Sequence, residues 1–201
     1  TLGAEATVEA IGPLGGGAIQ ENWRIDAVVD GRPRRFVLRR DAPAGLSFSH
    51  DRRTEFEIVR VARAAGVSVA EPVAFCEDLA PAGGPFALYG FVEGVALARA
   101  VVRETADAAG AAVARQAGAE MARIHAVRPP RVDLAALGEP PVDTARADVD
   151  TLRATLDRLG LVRPALEWGL RWAETAAPAP DPPVLIHRDF RTGNYLVGEG
   201  G

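Results

Sequence analysis

The chain has 201 residues, a hydrophobic fraction of 48% and a formal net charge of −4. That is enough apolar content for a packed core, and it gives a nucleic-acid partner no whole-chain electrostatic support. A single cysteine, Cys76, excludes an internal disulfide or a cysteine-rich metal centre and fits a reducing cytoplasm, and no apolar run approaches the ~18 residues of a membrane-spanning helix, so no membrane partner is expected.

Three β-prone runs come first, residues 8–14, 22–30 and 34–40. Gly15-Gly16-Gly17 separates the first two, and Asp30-Gly31, a strong hairpin signal, introduces the third. Residues 49–65 follow with helical spacing of Phe56, Val59 and Ala62, with Ser49 as the expected cap and Gly66 as the stop. Strand character returns over residues 67–76 and 85–92, so the first half reads β-β-β-α-β-β. Beyond Gly94 helices dominate. Residues 105–126 carry an apolar stripe of Val113, Ala117, Met121 and Ile124, and residues 143–159 and 164–176 form two more helices. Pro164 suits a first-turn position, and Trp168 and Trp172 lie one turn apart. The expected fold class is therefore α+β, with a sheet-rich lobe over residues 1–93 and a helical lobe over residues 94–201.

The most informative stretch is Val184-Leu185-Ile186-His187-Arg188-Asp189-Phe190-Arg191-Thr192-Gly193-Asn194-Tyr195-Leu196-Val197. It reads as an apolar run, a polar loop and a second apolar run. The two flanks, residues 184–186 and 195–197, are expected to be short buried strands holding the loop as a hairpin-like excursion. His-x-Asp followed five residues later by Asn is the catalytic-loop pattern of kinases. An Asp fixed in this way can take the proton of an acceptor hydroxyl, and an Asn can offer its amide oxygen to Mg²⁺.

Upstream partners stand in the matching order. Glycines 15–17 let backbone N–H groups approach phosphate oxygens without an intervening Cβ, although an ordinary hairpin loop would look the same. The loop lacks the Gly-Lys-Ser/Thr ending of a Walker sequence. In Phe36-Val37-Leu38-Arg39-Arg40, Arg39 stands where kinases place the cation for the α- and β-phosphates, with Glu55 as its counter-ion. Arg40 competes for the role, and strand alternation allows only one of the two into a cleft. Residues 86–94 read as a buried strand entering a hinge, or equally as a core strand ending at a turn.

These segments resemble the aminoglycoside-phosphotransferase-like kinase family, in particular a bacterial branch related to the kinase domain of some acyl-CoA dehydrogenases. The matching pieces are Gly-Gly-Gly-Ala-Ile-Gln-Glu-Asn-Trp, Phe-Val-Leu-Arg-Arg-Asp, the Glu55 helix, Ala65-Gly66-Val67-Ser68-Val69, Phe91-Val92-Glu93-Gly94, Met121-Ala122-Arg123-Ile124-His125 and the His187 to Asn194 loop. The resemblance implies a protein-kinase-like two-lobe fold, of which this chain would lack the C-terminal part with the second, acidic Mg²⁺ ligand. It implies Asp189 as catalytic base, Arg191 as a phosphate contact and Asn194 as metal ligand. Gly15, Gly16 and Gly17 would cover the phosphates, Arg39 and Glu55 would anchor them, and the backbone of Gly90 and Val92 would meet adenine. The cofactors implied are ATP and Mg²⁺, and the partner is a small molecule bearing a hydroxyl. Arg39 in place of the usual Lys, Arg188 in place of a common Gly, and Ile19 where a Ser is frequent depart from the pattern. The alternative is a nucleotide-binding pseudokinase or regulatory module without transfer activity.

Overall fold

The computed structural model describes residues 5–15, 20–41, 50–77, 84–104 and 107–198. Gly16, Gly17, Ser49 and Glu199 lie outside the described residues. The chain packs as two compact units, residues 1–127 together with 186–201, and residues 128–185.

The first unit is built on a five-stranded antiparallel sheet. Its strands are β1 (Ala6–Leu14), β2 (Gln20–Val29), β3 (Arg32–Asp41), β4 (Pro72–Cys76) and β5 (Phe86–Gly90), ordered β1-β2-β3-β5-β4. β2 and β3 join through Asp30 (φ 50°) and Gly31 (φ 71°), both left-handed as a two-residue hairpin turn requires. Register puts Val37 opposite Tyr89 and Arg39 opposite Ala87. Directly opposed residues share a sheet face, so Arg39 lies on the face of Ala87 and Tyr89. That face packs on helix α1 (Arg52–Ala64), where Phe56 joins Ala87 and Tyr89 in one buried cluster. Ala27, Phe36 and Leu88 form a second cluster on the opposite face, with Leu38 against it.

The start of α1 differs from expectation. The cap is Asp51, whose carboxylate accepts from the Thr54 N–H at 2.7 Å. An Asp three residues before a free first-turn N–H satisfies it directly. The apolar spacing that marked the helix begins at Phe56 and so says little about its first turn. After β5 the chain enters α2 (Ala98–Glu104), a helix not anticipated from the sequence, and then α3 (Asp107–His125). The expected strand over residues 67–76 is confined to β4, preceded by a segment whose Ser68 N–H and Oγ both donate to Glu120 of α3, at 2.9 and 2.8 Å.

The second unit holds a 3₁₀ turn (Val132–Leu137) and the helices α4 (Thr144–Leu159) and α5 (Pro164–Ala176). Asp143 caps α4 by accepting from the Arg146 N–H at 2.9 Å, Gly160 ends it in the left-handed conformation, and Pro164 opens α5 as its position suggested. Arg153 bridges the two helices, pairing with Glu167 at 2.9 Å and Glu174 at 3.3 Å. Trp168 and Trp172 are 75% and 64% exposed, so the aromatic pair does not form the α4–α5 seam. No helix among the described residues is long and apolar enough to cross a membrane.

Candidate active site

Arg39 and Glu55 meet as the sequence suggested. Arg39 Nη1 donates to Glu55 Oε1 at 2.7 Å, joining β3 to the first turn of α1. Strand alternation separates it from Arg40, which points to the other face and pairs with Glu21 of β2 at 2.6 Å. That hydrogen bond holds the Glu21 carboxyl below its ordinary range, against the opposing effect of burial. Arg39 retains donors, since Nη1 is its one bonded nitrogen among the described residues and its side chain is 36% exposed. A guanidinium that spends one fork on a carboxylate and keeps another is suited to bind a second anion.

Two further neighbours of Glu55 had no role in the sequence reading. Gln20 Nε2, at the start of β2, donates to Glu55 Oε2 at 3.2 Å, and Arg52 Nη1 donates to the same oxygen at 2.7 Å. Arg52 is 2% exposed and also pairs with Asp41, the last residue of β3. Its i, i+3 spacing from Glu55 was the one available signal. Tyr89 completes this face; burial first, then the charge of Glu55, pushes its phenol up to about 12.

Of the glycine-rich loop, Gly15 is described. It is exposed, and a Cβ there would meet nothing within 4 Å. At the end of β5, the Gly90 N–H is spent on Glu71 O at 2.8 Å, so Gly90 can offer a ligand its carbonyl alone. Among the described residues no backbone hydrogen bond involves Val92, which leaves its N–H and C=O for a ligand. An acceptor and a donor two residues apart on an extended strand end suit the two-point edge of a purine.

The loop from His187 to Asn194 is organised around one carboxylate. Arg191 Nε donates to Asp189 Oδ1 at 3.0 Å, and Asn194 Nδ2 donates to Asp189 Oδ2 at 2.6 Å and to the Asp189 carbonyl at 2.8 Å. Each carboxylate oxygen keeps a lone pair for a substrate hydroxyl. The amide nitrogen of Asn194 is occupied, which leaves Oδ1 as its group for a cation. One neutral oxygen fits as a ligand of a hard ion but makes no site alone, and among the described residues no three His, Cys, Asp or Glu side chains gather as a metal cluster. His187 braces the loop: its Nδ1 accepts from the Asp189 N–H at 3.4 Å, and its ring meets Phe190 edge-on at 5.4 Å. Arg188 has φ +65°, a conformation glycine adopts without cost.

The flanks of this loop correct the sequence reading. Residues 184–186 form no strand and Ile186 is 52% exposed, while residues 195–197 contribute only one bridge, Val197 to Val95. The two apolar runs therefore do not pair with each other. The partner comes from the segment after β5, because Gly94 has no Cβ to hold the two backbones apart. A Cβ there would lie 3.0 Å from Leu196 Cβ and from Val197 O.

A five-stranded sheet backed by α1, followed by a helical segment and a His-Arg-Asp loop, defines a protein-kinase-like fold. The chain belongs to the phosphotransferase enzyme family, whose pattern it matches over residues 10–201. Its fold is similar to that of aminoglycoside 2'-phosphotransferase-IIIa in complex with GDP, with a TM-score of 0.64 at 18% identity over 97% of this chain and 63% of that one. It is also similar to spectinomycin phosphotransferase bound to ADP and spectinomycin, with a TM-score of 0.57 at 14% identity over 96% and 61% of the two chains. The chain thus spans a little over three-fifths of the length of these solved structures. No curated protein matches the sequence.

Proposed function

We propose that the protein is an ATP-dependent phosphotransferase that moves the γ-phosphate to a hydroxyl of a small molecule of the aminoglycoside or hydroxyacyl type, with Mg²⁺ as cofactor. Residues 1–93 form the nucleotide-binding lobe in this reading, and residues 94–201 begin the helical lobe. The observation that carries it is the Asp189 carboxylate held by Arg191 and Asn194 on a loop whose sequence follows the kinase pattern. Asp189 orients the acceptor hydroxyl and takes its proton. Arg191 lies beside it as a cation for phosphate oxygens, and Asn194 Oδ1 serves Mg²⁺, which would neutralise charge on the transferring group. Arg39, fixed by Glu55, takes the α- and β-phosphates, glycines 15–17 cover them, and Gly90 and Val92 present backbone to adenine. GDP and ADP in the related structures favour a purine nucleotide at this site, and spectinomycin in one of them favours a polyhydroxylated acceptor.

The test is turnover of ATP with Mg²⁺ against panels of aminoglycosides, simple alcohols and hydroxyacyl-CoA thioesters, with Asp189→Ala as control. Phosphorylated acceptor formed by the wild type and lost in the variant is the expected result. Mg²⁺-dependent ATP binding with no transfer to any acceptor would favour a nucleotide-binding module instead.

A further inference from the structure

We infer that Arg52 is a positioning residue that fixes the Glu55 carboxylate so that Arg39 is presented to the nucleotide phosphates. The inference rests on the nucleotide role of Arg39 proposed above. Glu55 divides its oxygens: Oε1 accepts from Arg39 at 2.7 Å, while Oε2 accepts from Arg52 at 2.7 Å and Gln20 at 3.2 Å. A glutamate bonded to Arg39 alone could turn about its last torsion, which is broad and nearly two-fold. Two donors on Oε2 remove that freedom and leave Oε1 aimed at Arg39. The same guanidinium holds Asp41, two residues beyond Arg39 on β3. Arg52 thereby ties the end of the strand that carries the cation to the first turn of the helix that carries its counter-ion. Gln20 extends the tie to the first residue of β2, directly after the glycine-rich loop.

Stability alone does not account for Arg52. Its side chain is 1% exposed, and its Nε is buried without a partner among the described residues. Burying a guanidinium with an unmet donor is costly, and an apolar residue of similar volume is often as stable at such a place. What an apolar residue cannot supply is direction for Glu55. The cluster is charge-balanced, with Arg39 and Arg52 against Asp41 and Glu55, so Arg39 stays oriented while keeping donors for an incoming anion.

The test compares Arg52→Met and Arg52→Lys with wild type. Loss of the charge-assisted bonds in Arg52→Met should raise KM for Mg·ATP about tenfold, leave KM for the acceptor unchanged, and add little when Glu55 is already Gln. Arg52→Lys should restore part of the effect. A second measurement needs no nucleotide: the Arg39–Glu55 coupling from a double-mutant cycle in denaturant should be clear in wild type and lost in the Arg52→Met background. If Arg52→Met does not fold, Arg52→Lys and Gln20→Leu carry the same comparison. An Arg39–Glu55 coupling that survives removal of Arg52, or an Arg52 effect fully additive with Glu55→Gln, overturns the positioning role. A wild type that binds no Mg·ATP overturns the nucleotide reading instead, and the coupling measurement still decides on Arg52.

Discussion

Val95 and Val197 exchange both backbone hydrogen bonds, at 2.9 and 3.0 Å, and so fasten the segment after β5 to the end of the Asp189 loop. The contact brings together residues about a hundred positions apart. It depends on Gly94, which has φ +152° and lies against Leu196 and Val197.

Gly94→Ala should therefore destabilise the protein by roughly 1–3 kcal/mol, because it combines an unfavourable backbone conformation with a clash. Denaturant unfolding measures this directly. Stability equal to wild type would show that the bridge tolerates a side chain there.

Asp189→Ala should lower kcat by at least ~10²-fold, the usual scale for losing a general base. Nucleotide affinity should stay near wild type, because the carboxylate's protein partners are Arg191 and Asn194 and not the Arg39–Glu55 pair. Steady-state kinetics alongside calorimetric nucleotide titration separates the two effects. Near-normal turnover would remove Asp189 from the chemistry.

Arg39→Lys should keep partial activity, since the charge survives while the fork that reaches Glu55 is lost. Glu55→Ala should weaken ATP use with the fold retained, checked by comparing KM for ATP with the melting temperature. Normal ATP use by both variants would reduce the pair to a structural contact.

Asp51→Ala should cost about 1 kcal/mol by removing the α1 cap. The hydrogen bond from the Thr54 N–H is the main reason the Asp51 carboxyl lies below its ordinary value of 3.8. A carboxyl depressed in the folded state stabilises above its unfolded value, and that contribution is lost as pH falls through the folded value. The difference between wild type and variant should thus hold steady at neutral pH and shrink below pH 3.8. Unfolding curves at several pH values test this; a difference independent of pH would mean the cap is not ionic.

Elements whose cause is local were legible in the amino-acid sequence. The Asp30-Gly31 turn, the three strands around it, the Pro164 helix start and the order of the site residues along the chain all follow from backbone preference and side-chain periodicity over a few neighbours. Arg39 could be matched with Glu55 because the kinase pattern fixes their order, although Arg40 beside it competed for the role. The sheet register sets Arg39 opposite Ala87 on the α1 face, where it meets Glu55. Tertiary structure also decided that the apolar flanks of the Asp189 loop do not pair, that Val197 finds Val95, and that Arg52 and Gln20 converge on Glu55. These are contacts between residues distant in sequence or side chains sharing a buried space. Their partners are selected by burial and hydrogen-bond satisfaction across the whole unit, and local spacing carries no record of that selection.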